Sequence, residues 1–189
     1  MMAMLDDAFV LAYQLHEGQV RKGTKIPYVS HVMAVSALVL EDSGTEIAAA
    51  GGLLHDAAED QGGWATIEQI RARCGGAVAD VVVACSDSLL AKGEVKEPWR
   101  RRKEAAIRAL PMHTEDALRV IAADKLHNAQ ATLTDLRILG PVVWSRFKTG
   151  REGFLWYHEQ MFVSLADLLP GSRSVARLRN ALDEILLVP

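Results

Sequence analysis

His55-Asp56-Ala57-Ala58-Glu59-Asp60 follows the run Ile47-Ala48-Ala49-Ala50-Gly51-Gly52-Leu53-Leu54, and this junction decides how the chain is read. The run is so small and apolar that, as a helix, it must be packed on nearly all sides. Continued as a helix, the chain stacks His55 over Glu59 and Asp56 over Asp60, because residues four apart share a face. Carboxylates gathered at the end of a buried helix repel one another and lose their hydration, and a bound divalent ion supplies the counter-charge. The alternative is a helix that simply ends here with its acids in water.

Composition favours packed helices around that stretch. The chain has 189 residues, 50% of them hydrophobic but only 6% aromatic, and Ala, Leu and Val suit helices better than a sheet. This length predicts one domain, 1–189, with a substantial core. A formal charge of −3 argues against a general nucleic-acid binder, which needs a basic surface. Cys74 and Cys85 are too few for a disulfide framework and are read as buried thiols in a reducing compartment. No apolar run reaches the ~20 residues of a membrane span, and Asp6 and Asp7 come too early for a signal peptide. The expectation is a cytoplasmic protein with no membrane partner.

Outward from the junction, the pattern stays helical. Leu5, Ala8, Phe9, Ala12 and Leu15 recur at helical spacing up to Gly18. The following loop, Gln19 to Tyr28, carries Arg21, Lys22 and Lys25; it could grip phosphate or stack on a base, or be an ordinary solvated loop. A second helix starts near Val29 and holds His31, which by itself reads more simply as a packed histidine than as a ligand. Ser43-Gly44-Thr45-Glu46 and Thr66-Ile67-Glu68-Gln69 look like capping boxes that start further helices. Val78 to Ala84 fits helix or buried strand, and helix is preferred because no second strand is available to pair with it. A loop is expected from Cys85 to Pro98.

The basic run Trp99-Arg100-Arg101-Arg102-Lys103 opens the next helix, as a solvated face or as a set of cations reaching a phosphorylated substrate. Thr114-Glu115-Asp116 caps a long helix. Asp124 emerges in it from the apolar run Val120 to Ala123, so it needs a buried partner; a metal shared with His55 and Asp56 would serve. Gly140-Pro141 stops that helix. A second basic stretch, Trp144 to Gly153, and two final helices with apolar stripes follow, with Leu178, Leu182 and Ile185 read as core.

The ordered set His31, His55-Asp56 and Asp124 resembles the signature of the HD-domain metal-dependent phosphohydrolases. Arg21-Lys22, Pro27-Tyr28-Val29-Ser30-His31, the His55 to Asp60 stretch and Ala123-Asp124-Lys125-Leu126-His127-Asn128 are similar to the hydrolase domain of RelA/SpoT-type enzymes and the stand-alone small alarmone hydrolases. The resemblance runs from about residue 5 to about residue 135. It implies a compact all-α fold of about eight to ten helices around one metal site. It further implies a single Mn2+, or another divalent metal, held by His31, His55, Asp56 and Asp124, with Glu59 and Asp60 assisting hydrolysis. Arg21 and Lys22 would pack on a purine and Asn128 would contact the ribose. The implied reaction removes the 3′-pyrophosphate from (p)ppGpp. Val32, Lys125 and Ala131 depart from the usual pattern, which leaves (p)ppApp-type alarmones and the 2′-phosphate of NADPH open as substrates. A nucleoside-monophosphate phosphatase and a non-catalytic nucleotide- or partner-binding module are the competing readings.

Overall fold

The computed structural model describes residues 3–90 and 94–188, and among these the chain is all-α. The helices are α1 (Ala3–Leu15), α2 (Val29–Glu41), α3 (Glu46–Leu54), α4 (Trp64–Cys74), α5 (Gly76–Cys85), α6 (Trp99–Ala109), α7 (Glu115–Leu139), α8 (Gly150–Leu168) and α9 (Arg173–Leu187). The β pairing seen among the described residues is an isolated bridge, Val20 to Pro27, which pinches the basic loop into a hairpin-like turn. No helix among them is long and apolar enough to cross a membrane. The expected loop from Cys85 to Pro98 includes residues 91–93, which lie outside the described residues.

The centre of the fold is α7, which packs against α2, α3, α5, α8 and α9. One side of it joins Val35, Leu133, Leu178 and Ile185 in a core with α2 and α9, and another meets Tyr157, Met161 and Leu165 of α8. A further core ties α1 to α3, α4 and α5 through Leu11, Leu54, Ile67 and Val82. The glycines of α3 make this packing possible. A Cβ on Gly52 would lie 3.2 Å from Ser36 Cα of α2, and one on Gly51 would lie 2.5 Å from Val81 Cγ1 of α5. Both neighbours can thus approach α3 closely, and the His55 junction at its end is held between them.

Local chemistry sets the helix ends where the sequence carries a cap. Thr45 Oγ1 accepts from Ala48 N at 3.0 Å, and Thr114 Oγ1 accepts from Ala117 N at 3.3 Å. Two details differ from expectation. The cap of α3 is Thr45, with Glu46 already in the first turn rather than closing a box from Ser43, whose φ is 61°. Thr66 lies inside α4, which begins at Trp64 after Gly63, and it is buried. The Gly63 backbone, with φ 59°, starts the helix earlier than a Thr cap would.

Asp42, at the end of α2, docks the final helix. Its carboxylate accepts from the Arg173 backbone N at 2.6 Å and from Ser172 Oγ at 2.5 Å, while Arg119 of α7 bonds its carbonyl. The Asp42 side chain is therefore a buried anion at the positive N-terminus of α9. Asp42→Ala is expected to destabilise the protein by about 2–4 kcal/mol, through the lost charge-assisted hydrogen bonds to Ser172 and the Arg173 backbone at the start of α9. A denaturant midpoint equal to that of the parent would show that α9 docks through its apolar stripe alone.

Candidate functional site

Three helices bring together residues that are far apart in the chain. His31 comes from the first turn of α2, His55 and Asp56 from the end of α3, and Asp124 from the middle of α7. His55 Nε2 lies 3.0 Å from Asp56 Oδ2 and 3.6 Å from Asp124 Oδ1; His31 Nε2 lies 3.5 Å and 3.2 Å from the same two oxygens. His31, His55 and Asp56 can each offer one ligand atom to a common metal ion, and Asp124 Oδ1 faces both imidazoles. All four expected ligands thus converge.

The donor set fits a divalent ion. The Nε2 atoms of His31 and His55 are buried and have no hydrogen-bond partner, a costly state for polar nitrogens unless a ligand completes them. His55 is oriented for this role by its Nδ1, which lies 2.8 Å from the Gly52 carbonyl. Two imidazoles with two carboxylates make a borderline-to-hard set of the kind used for Mn2+ and similar ions. Burial disfavours the charged forms of His55, Asp56 and Asp124. Even so, Asp56 and Asp124 hold His55 well above its ordinary pKa; His55, followed by His31, holds Asp56 well below the carboxylate range. Asp124 is also held low, with Lys125 as the strongest opposing charge. This mutual stabilisation of opposite charges is the electrostatic setting that a cation with neutral imidazoles would replace.

Several supporting residues were not singled out from the sequence. Tyr28 donates its hydroxyl to Asp56 Oδ2 at 2.6 Å, and burial followed by the Asp56 charge pushes its pKa up. His127 Nδ1 lies 2.8 Å from His31 Nδ1, leaving His31 Nε2 turned to the cluster. The spacing offered a signal for both, since Tyr28 precedes His31 by three residues and His127 follows Asp124 by three, one helical turn in each case. Tyr28→Phe is expected to weaken metal binding by ~10-fold or more, the usual effect of losing a partner that orients a ligand. An unchanged dissociation constant in a metal titration would leave Tyr28 a packing role only.

The acids Glu59 and Asp60 do not continue α3. The helix ends at Leu54, and Ala58–Gly62 forms a π-helical turn closed by Gly63 N donating to the Ala58 carbonyl at 2.8 Å. Wide turns of this kind recur at functional sites because they redirect side chains. The two acids consequently face different partners, rather than forming the parallel rows expected from a continuous helix. Glu59 Oε1 meets Lys96 Nζ at 3.0 Å. Asp60 Oδ2 accepts from Gln19 Nε2 at 2.7 Å, and Gln19 also contacts His16 and Gln61. Burial raises both pKa values, Asp87 adding to the effect on Glu59 and Asp56 to that on Asp60.

The expected substrate residues adjoin the cluster. Arg21 Nη2 donates to Asn128 Oδ1 at 2.8 Å, and Asn128 Nδ2 donates to Asp124 Oδ1 at 2.5 Å. Asn128 therefore links the basic loop to the cluster of His31, His55, Asp56 and Asp124. Arg21, Lys22 and Asn128 line a cavity of about 340 Å³ together with Trp99, Lys103 and Tyr157. The loop is fixed from outside by Arg146, which pairs with Asp135 and lies where a Cβ on Gly23 would be. Gly23 has φ 73°, so it serves both the turn and this close approach. The basic helix α6 is divided. Arg100 stacks 3.3 Å over the Trp156 ring and Arg101 is 78% exposed, whereas Arg102 and Lys103 turn inward. Cys74 and Cys85 are free thiols.

Comparison with known proteins follows this geometry. A probable guanosine-3′,5′-bis(diphosphate) 3′-pyrophosphohydrolase of Synechocystis is 36% identical over 124 residues, 64% of this chain and 16% of that protein. A protein of the same activity name from Haemophilus influenzae is 31% identical over 134 residues, 68% and 18% of the two chains. The chain spans less than a fifth of the length of these curated relatives. Among solved structures, a metazoan ortholog of SpoT, described as hydrolysing ppGpp, superposes with a TM-score of 0.76 at 24% identity, covering 98% of this chain and 97% of its own. The protein lmo0812 of Listeria monocytogenes gives a TM-score of 0.70 at 26% identity, over 83% and 99%. The HD domain family model matches residues 8–153, a segment that begins in α1, ends in α8 and contains all four converging side chains, so the chain belongs to the HD domain family.

Proposed function

We propose that this protein is a Mn2+-dependent hydrolase that removes the 3′-pyrophosphate from alarmone nucleotides such as (p)ppGpp or (p)ppApp. The observation that carries the reading is the pair of buried, partnerless Nε2 atoms of His31 and His55 beside two carboxylates, adjoining the cavity of Arg21, Lys22 and Asn128. The activity names of the curated relatives support it. His31, His55, Asp56 and Asp124 would hold the metal ion, which would supply Lewis-acid chemistry, acidifying water and offsetting charge on a phosphoryl oxygen.

The protein's own residues divide the remaining work. Arg21 and Lys22 pack on the purine, and Asn128, already bonded to both Arg21 and Asp124, meets the ribose. The reaction forms a bond from a water oxygen to the phosphorus attached to the ribose 3′ oxygen and breaks the bond between them. Asp60, steadied by Gln19, accepts a proton of the attacking water. Glu59, whose pKa is raised by burial and by Asp87, keeps its proton longer than an ordinary carboxyl and gives it to the departing 3′ oxygen. Pyrophosphate and a 5′-phosphorylated nucleoside with a free 3′-hydroxyl are the products.

Product identification tests the proposal. Metal-stripped protein is reconstituted with Mn2+ and incubated separately with ppGpp, ppApp, NADPH and a nucleoside monophosphate, and the products are resolved by anion exchange. Pyrophosphate with GDP or ADP is the expected result and also names the base. Phosphate from the monophosphate or from NADPH alone would make the protein a nucleotide phosphatase instead. No turnover of any of the four would leave a binding module.

A further inference from the structure

The inward-facing half of α6 builds a second group of charges beside the metal cluster. Asp87, from the loop after α5, is 5% exposed at its side chain and is gripped by Arg102 Nη1 and by Lys103 Nζ, the latter at 2.6 Å. Glu59, paired with Lys96, lies 3.8 Å from the same Arg102. Three cations thus face two carboxylates, and the local balance favours anions. Both Arg102 and Lys103 are at most 18% exposed, so their charges are weakly screened.

Two cavities meet at this group. The cavity of Arg21, Lys22 and Asn128 also contains Lys103, Lys125 and Tyr157. A second, of about 240 Å³, contains Asp87, Arg102, Lys125 and Tyr157 together with His55 and Asp124 of the metal cluster. Lys125 and Tyr157 are the wall between them. Lys103 and Lys125 lie 4.9 Å and 5.3 Å from the centre of the Tyr157 ring, which keeps both ammonium groups at the wall. Lys125 is anchored there by Asp124 Oδ2 at 2.5 Å. A ligand with its nucleoside in the first cavity and its scissile phosphorus at His55 and Asp124 directs the terminal phosphate of its diphosphate toward the second.

We propose that Arg102, Lys103 and Lys125 form a receiving site for a diphosphate group, and that Asp87 is its built-in occupant, holding Arg102 and Lys103 in place when no ligand is bound. The inference rests on the hydrolase reading and specifies which half of the basic helix serves it. The guanidinium of Arg102 suits a diphosphate because it can donate two parallel hydrogen bonds to one phosphate group. Asp87 competes for the same donors. Its removal therefore strengthens diphosphate binding, the opposite of what a merely structural ion pair predicts. Arg100 on Trp156 and the exposed Arg101 take no part.

The test is a calorimetric titration of the full-length protein, without added metal, with inorganic pyrophosphate, and with inorganic phosphate for comparison. The expected result is measurable pyrophosphate binding, tighter than phosphate, that falls ~10-fold or more in Arg102→Gln and is unchanged in Arg101→Gln. Asp87→Asn should bind pyrophosphate more tightly than the parent. Because Asp87→Asn leaves two half-buried cations without their partner, its fold is checked by circular dichroism, and Lys103→Gln provides an independent arm expected to weaken binding. No pyrophosphate binding by the parent, or parent-like binding in both Arg102→Gln and Lys103→Gln, would overturn the proposal. Hydrolysis of ppGpp with either of those results would overturn the diphosphate site and keep the hydrolase reading; Arg102-dependent pyrophosphate binding without hydrolysis of any alarmone would do the reverse.

Discussion

Asp124→Ala is expected to lose bound metal and turnover together. Asp124 sits in the interior of α7, faces both His31 and His55 Nε2, and is the anchor for Lys125 and Asn128. Without its carboxylate, the cluster has one acid left, Asp56, and the ammonium of Lys125 is left buried beside two imidazoles. That combination repels a cation, so the loss of affinity should exceed the 10–100-fold typical of an orienting partner. Leaving Lys125 unpaired also costs stability, on the order of 3–5 kcal/mol for a broken buried pair. Asp124→Asn, which keeps the shape and much of the hydrogen bonding, separates that effect from metal loss. Metal content after gel filtration, measured beside turnover, is the check. Full turnover or stoichiometric metal in a folded Asp124→Ala protein would remove Asp124 from the site.

Glu59→Gln is expected to retain metal and lower turnover by ~10²-fold or more, the scale of a positioned proton donor. The amide keeps an oxygen for Lys96, so the π-helical turn and its ion-pair neighbourhood should persist. The pH profile gives the sharper readout. Burial and Asp87 raise the Glu59 pKa; as a proton donor it works below that pKa and fails as pH rises through it. The parent should therefore show a falling limb on its alkaline side that Glu59→Gln lacks. A limb retained in the variant assigns that titration to another group, and unchanged turnover takes Glu59 out of the mechanism.

The contrast between Glu59 and Asp60 shows where local reading stops. As neighbours in one motif they looked equivalent, and a continuous helix would have set them on adjacent rows. The π turn at Ala58–Gly62 instead sends one to Lys96 and the other to Gln19. Widening a helix by one residue costs little locally, and contacts from distant segments decide whether it happens. The basic helix behaved in the same way. Four consecutive cations look alike in sequence, but the helical turn that carries Arg102 and Lys103 inward carries Arg101 out to solvent.

The sequence by itself determined the all-α class, through helical spacing and caps such as Thr114, and it pointed to the four side chains that the fold brings together, through the His31, His55-Asp56 and Asp124 pattern. Even Val78 to Ala84, locally undecided between helix and strand, followed from the absence of a partner strand and is α5. Tertiary structure alone decided that Tyr28 serves Asp56, that His127 backs His31 across 96 positions, that Gln19 steadies Asp60, and that Asp87 holds Arg102. The physical reason is range. Spacing and capping act within a few residues of the chain, whereas a side chain's partner depends on which faces of separate helices meet, and that is set by the packing of the whole core around α7.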